Sequence, residues 1–113
     1  MVKIHFWKDE ETKSIHMKLK GHASYAPKGE DLVCASASML VYTVAQAMMF
    51  YYDQGYLEEK PKIKMCEGKA SISVVPKEEY YAEALHTFWV AQCGAHLLSK
   101  NYPEHVGLNY LTV

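Results

Sequence analysis

The apolar positions change their period several times along the chain, and each change marks an element. VKIHFW, Val2–Trp7, reads as a short strand that ends at the polar run DEETKS. Over Ser14–Ala23, Ile15, Met17 and Leu19 alternate with His16, Lys18 and Lys20. Period two predicts a half-buried strand, and the two strands together predict a hairpin. YAPKGED follows, with Pro27 and Gly29 punctuating a loop. From Asp31 to about Asp53 the spacing becomes helical. Leu40, Val44, Ala47 and Tyr51 form one stripe, and Val41, Ala45, Met48 and Tyr52 form another. Two apolar stripes predict a helix buried on most sides, with Gly55 as its terminator. Lys62–Cys66 and Lys69–Val75 predict two strands around Glu67-Gly68, the second closed by Pro76. A second helix is predicted from about Lys77 to Ser99. Its stripe is Tyr81, Leu85, Phe88, Trp89, Gln92, Cys93, His96 and Leu97. Asn101-Tyr102-Pro103 ends it, and His105–Leu111 predicts a last strand.

The order ββαββαβ predicts an α+β fold, a two-layer α/β sandwich with two long helices on one face of a sheet of about five strands. The hairpins make that sheet mixed or largely antiparallel. Residues 1–113 then form a single domain, an ordinary size for one core. The helices carry more apolar surface than one sheet face needs, which points to a helix face shared with a second subunit.

Charge narrows the partners. The formal net charge is -1, so the bulk numbers give no broad basic surface, and only a local patch at Lys60, Lys62 and Lys64 remains open. No run of eighteen apolar residues occurs, so a membrane-spanning helix is not expected, and the polar N-terminus does not read as a secretion signal. Cys34, Cys66 and Cys93 are odd in number and lack a framework spacing. Free thiols and a cytoplasmic location are the expectation. Neither CxxC, HExxH nor a Gly-rich phosphate motif is present, so no cofactor or metal is expected. His86 and His96, ten apart, do not share a helix face for a metal. Cys66 and Cys93 read as structural.

The chemistry concentrates in GHASYAPKGEDLVCASAS, Gly21–Ser38, where His22 and Cys34 lie twelve positions apart. A free thiol titrates near about 8.5, and an imidazolium or a helix N-terminus lowers that value. Asp31 is placed to cap the helix, with Cys34 in its first turn among unpaired N–H groups able to bind an oxyanion. His22 ends the preceding strand. Asp31 is also an anion near the thiol, which disfavours a thiolate, unless it turns to orient His22. Ser38 lies one turn beyond Cys34 on the same face and can donate to the thiolate, to a substrate carbonyl or to a water. Gly21 and Gly29 are candidate hinges of the connecting loop. Against this stands a packing account: Cys34 as a small buried residue, His22 against Tyr25, Asp31 an ordinary cap, Ser38 an ordinary helix hydroxyl. On spacing alone the packing account is slightly the stronger.

The same residues resemble a family signature. Gly21-His22-Ala23, a loop, then Gly29-Glu30-Asp31-Leu32-Val33-Cys34-Ala35-Ser36-Ala37-Ser38 is similar to the GHA, loop, G-x-D-(aliphatic)-V-C-A-x-x-S pattern of the ribosomal-processing cysteine protease Prp family, also called YsxB-like. The length, the element order and the EYY opening of the second helix suit that family across the whole chain. The resemblance implies a cytoplasmic homodimer that removes an N-terminal extension from large-subunit ribosomal protein twenty-seven, cutting after an aromatic pair and before a small residue. It implies Cys34 as nucleophile and His22 as base, with Asp31 and Ser38 supporting them. The chemistry needs no cofactor, metal, membrane or nucleic acid. Tyr25, Met39, Tyr42 and Tyr51 are candidate groove residues, each also at home in core or dimer contacts. The alternatives are a non-enzymatic ribosome-associated binding module and a thiol enzyme of another class.

Overall fold

The computed structural model describes residues 1–21 and 31–111. Five strands and two helices follow the expected order: β1 (Val2–Asp9), β2 (Ser14–Lys20), α1 (Leu32–Asp53), β3 (Lys62–Cys66), β4 (Lys69–Val74), α2 (Tyr81–Asn101) and β5 (Val106–Asn109). A 3₁₀ turn, Glu78–Tyr80, leads into α2. The boundaries fall close to the sequence expectation because turn chemistry sets them. At the end of α1, Gly55 takes φ +80°. Its N–H donates to the Tyr52 carbonyl and the Tyr56 N–H to that of Tyr51, the paired bonds of a Schellman cap.

The sheet order is β3-β4-β2-β1-β5. β1 pairs antiparallel with β2, β2 with β4, and β4 with β3, whereas β5 pairs parallel with β1. The sheet is therefore mixed. These pairings make β2 parallel to β3 and β4 parallel to β5, so each helix is the crossover between two parallel strands. Right-handed crossovers put both helices on the same side. That side of the sheet is apolar: Val2, Ile4 and Phe6 of β1, Ile15, Met17 and Leu19 of β2, and Ala70, Ile72 and Val74 of β4 are buried. Val33, Ala37, Val41, Val44, Ala45 and Met48 of α1 meet them, as do Ala84, Leu85, Phe88, Ala91 and Ala95 of α2.

Two expectations change here. α1 is half-buried rather than enclosed on most sides, and α2 exposes much of its predicted stripe. Met39, Tyr42 and Phe50 of α1 face solvent, and so do Trp89, Val90, Cys93, His96 and Leu97 of α2, although four of these last five belong to the predicted apolar stripe. The inner stripe of α2 keeps Leu85, Phe88 and Gln92 of the predicted set and adds the small residues Ala84, Ala91 and Ala95, where the helix sits close to the sheet and to α1. At that contact a Cβ on Gly94 would lie 2.8 Å from Leu40 Cδ2. By length and composition α1 is also apolar enough to cross a membrane, yet its inner positions are packed on the sheet.

Candidate active site

The start of α1 is built by one side chain. Asp31, only 8 % exposed, takes an extended backbone just before the helix. Its carboxylate accepts the N–H of Val33 at 2.9 Å and the N–H of Cys34 at 3.1 Å, while the Ala35 N–H donates to the Asp31 carbonyl. This is an N-cap satisfying the second and third helical positions, as the sequence predicts. It also changes one expectation. The Val33 and Cys34 N–H groups are bonded to the cap, so in this structure they do not stand open as oxyanion donors.

Cys34 flanks the buried stripe that begins at Val33. It packs against the core yet stays half-exposed, unlike an enclosed structural thiol. Ser38 lies one turn further and is half-buried. At 100° per residue it is offset from Cys34 by only about 40°, so both look out over the same quadrant. His22, Tyr25 and Gly29 lie outside the described residues. Gly21, the last residue before them, is held closely. It has φ +98°, its N–H donates to the Gly68 carbonyl at 2.8 Å, and a Cβ there would collide with the Met1 carbonyl oxygen. Only glycine fits that conformation and that approach. The end of β2 is thereby fixed to the N-terminus and to the β3–β4 turn.

The groove candidates separate. Met39 and Tyr42 are exposed on α1, one to two turns beyond Cys34. Tyr51 is not available. It sits about 25 Å along the helix from Cys34, bonded to Thr87 Oγ1 at 2.9 Å and edge-on to Tyr56. A shallow pocket lined by Ser36, Leu40, Gly94, Leu97, Leu98 and Asn101 opens between the helices. Ser36 and Leu40 stand roughly 200° and 240° around α1 from Cys34, so that pocket belongs to the helix pair and not to the thiol. Cys66 and Cys93 are exposed free thiols rather than packed ones. Among the described residues no three His, Cys, Asp or Glu side chains converge as metal ligands.

Comparison with known proteins decides the family. The family model described as cysteine protease Prp matches residues 1–107. The chain belongs to the cysteine protease Prp family. Two curated relatives, both named ribosomal processing cysteine protease Prp, come from Staphylococcus aureus strains Mu50 and NCTC 8325. Each is 23 % identical over 110 residues, covering 97 % of this chain and 99 % of the relative. Among solved structures, the S. aureus protease with a covalently linked product peptide superposes with a TM-score of 0.71 at 22 % identity, covering 97 % of this chain and 99 % of that one. A Streptococcus mutans protein superposes with a TM-score of 0.69 at 21 % identity, covering 100 % and 96 %. The chain is thus a cysteine protease of the Prp family, on the α+β fold those structures share.

Proposed function

We propose that this protease removes the N-terminal extension of large-subunit ribosomal protein twenty-seven, cutting after an aromatic pair and before a small residue. Cys34 is the nucleophile and His22 the general base, with Asp31 and Ser38 in support. The observation that carries the reading is the half-exposed thiol in the first turn of α1, fixed by the buried Asp31 cap, inside the full signature Gly21–Ser38. The relative whose structure holds a covalently linked product peptide supports a covalent route in this family.

In that route His22 accepts the Sγ proton and Cys34 Sγ attacks the scissile carbonyl carbon. Collapse of the tetrahedral adduct breaks the peptide bond, and the His22 imidazolium gives its proton to the leaving amine. Water, deprotonated by His22, then hydrolyses the thioester and releases the carboxylate product. Asp31 fixes the helix start and so the direction of the Cys34 Cα–Cβ bond. The Ser38 hydroxyl, on the same face and without a hydrogen bond among the described residues, is the donor best placed for the scissile oxygen. Gly21 holds one end of the His22–Cys34 connection.

The enzyme works in the cytoplasm as a homodimer. Support for the dimer is the apolar outer face of the antiparallel helix pair, where Met39, Phe50 and Val90 are 62 %, 60 % and 64 % exposed beside Tyr42, Trp89 and Leu97. Sedimentation of Val90→Glu should show a monomer where the parent is a dimer.

The deciding experiment incubates the protein with a peptide whose extension ends Phe-Phe before a small residue, beside Cys34→Ala and His22→Ala. Mass spectrometry locates the cut. A cut at that junction, absent from both variants, supports every part of the proposal. Cleavage elsewhere that still needs Cys34 keeps the nucleophile and rejects the substrate. An inert Cys34, slow toward iodoacetamide, rejects the site.

A further inference from the structure

The side of the sheet away from the helices carries a charge pattern that the net charge hides. The register assigns its outward positions: Lys3, His5, Trp7 and Asp9 of β1; Ser14, His16, Lys18 and Lys20 of β2; Lys69, Ser71 and Ser73 of β4; Lys62, Lys64 and Cys66 of β3; and Gly107 and Asn109 of β5. Six lysines share this face with one acid, Asp9, which stands at the far end of β1 beside the hairpin. Five of the six are exposed and Lys18 is half-buried. Among the described residues, the ion pairs are Lys8 and Lys13 with Glu10, and none involves a lysine of this face.

The lysines are also set against one another. Lys3 is the direct cross-strand partner of Lys20, and Lys20 of Lys69. Three ammonium groups thus line up across β1, β2 and β4. In the next rows, Lys18 and Lys64 flank Ser71, and Lys62 pairs with Ser73. Like charges directly opposite on a sheet destabilise it. A soluble fold has no packing reason to concentrate them, but a polyanion laid across the strands would relieve the repulsion. Beside the lysines runs a row of rings. Trp7 lies 4.6 Å from His5 and 4.7 Å from His16 between ring centroids, stacked on the latter at 12°. His16 is itself held from both nitrogens, by Ser14 Oγ and Ser73 Oγ at 2.8 Å each. The outer ring, His5, is exposed.

We propose that this open sheet face docks single-stranded RNA, with its phosphates on the six lysines, the Lys3–Lys20–Lys69 row among them, and bases against the exposed His5 ring at the end of the His5–Trp7–His16 stack. Phosphate-tracking lysines beside an aromatic platform are the two parts of single-strand recognition. An acidic peptide would use the lysines and leave the rings idle. The choice of RNA over other polyanions rests also on the proposed function, since a ribosomal protein substrate is itself made to bind RNA. Docking is separate from peptide cleavage, because Cys34 belongs to the helix layer on the opposite side of the sheet.

The test is fluorescence anisotropy of a labelled twelve-nucleotide oligouridine RNA with the full chain, titrated at several salt concentrations, beside peptide cleavage on the same preparations. Binding should weaken with log salt at a slope of about -4 for six single-strand phosphate contacts, and about -2 for Lys3→Gln/Lys20→Gln/Lys69→Gln. That triple variant should lose at least tenfold in affinity at low salt and, relieved of the repulsion, melt no lower than the parent. Lys77→Gln/Lys100→Gln, on the helix side, should bind as the parent does. No binding at low salt, or equal binding by the triple variant, overturns the proposal. A polyglutamate peptide that competes as well as unlabelled RNA also overturns it and gives the face to an acidic protein. Peptide cleavage reports on the Cys34–His22 site, so either activity can fail without the other.

Discussion

Asp31 and Cys34 are joined by a hydrogen bond from the cysteine's own backbone N–H to the aspartate carboxylate, 3.1 Å long. The residue carrying the thiol is thereby held by the residue that starts its helix. Cap and thiol are one local unit, and a change at either is felt at the other.

Replacing Asp31 should therefore separate capping from charge. Asp31→Asn keeps a good cap and should leave stability nearly unchanged, whereas Asp31→Ala should lose about 1 kcal/mol, within the usual range for a lost cap. Urea unfolding measures both. The rate of Cys34 alkylation should rise in Asp31→Asn relative to the parent, because an anion beside the thiol is removed. Equal rates would mean that the carboxylate acts on the helix alone.

Two glycines should respond differently to alanine. At Gly21 the new Cβ would strike the Met1 carbonyl in a left-handed conformation, so Gly21→Ala should cost more than about 1 kcal/mol. At Gly94 the obstacle is the tip of the Leu40 side chain. That tip can rotate away, and alanine gains about 1 kcal/mol of helix propensity. Gly94→Ala should therefore lie within about 1 kcal/mol of the parent. Thermal melts of both variants test the contrast.

Gln92 is a buried polar residue on α2 whose side chain grips the backbone of Leu111 from both sides, accepting from its N–H and donating to its carbonyl. Gln92→Leu has nearly the right shape but leaves two buried groups unpaired. A loss of roughly 2 kcal/mol or more is expected. Amide exchange at Leu111 should accelerate more than exchange in β2, which would identify the loss as release of the C-terminal segment.

Burial lowers the His16 pKa below its ordinary value, with Asp9 opposing the effect weakly. The fold therefore favours the neutral ring. The unfolded chain binds the proton more readily, so this contribution is complete above the unfolded value of about 6.5 and is lost as pH falls through the lower folded value. His16→Gln should be less stable than the parent at pH 8. The gap in melting temperature should narrow below about pH 6.5. A gap that stayed constant to pH 5 would show that His16 does not titrate differently in the two states.

Element order, the Asp31 cap, the Gly55 stop and the Gly21–Ser38 signature were legible in the sequence because each depends on neighbours within a few residues. Strand periodicity likewise put Lys18 and Lys20 on one side of β2 and left Ile15, Met17 and Leu19 for the other. It could not say which strands lie side by side. That depends on crossovers whose partners are dozens of residues apart, and it alone turns scattered lysines at 3, 20 and 69 into one row. The α2 stripe held only in part, at Leu85, Phe88 and Gln92, for a related reason. Helical spacing marks a face, but the close approach of Leu40 to Gly94 turned Trp89 and Leu97 outward and left alanines within. Local chemistry fixed where each element begins and ends and where the thiol sits; packing between distant elements decided which faces were left for partners.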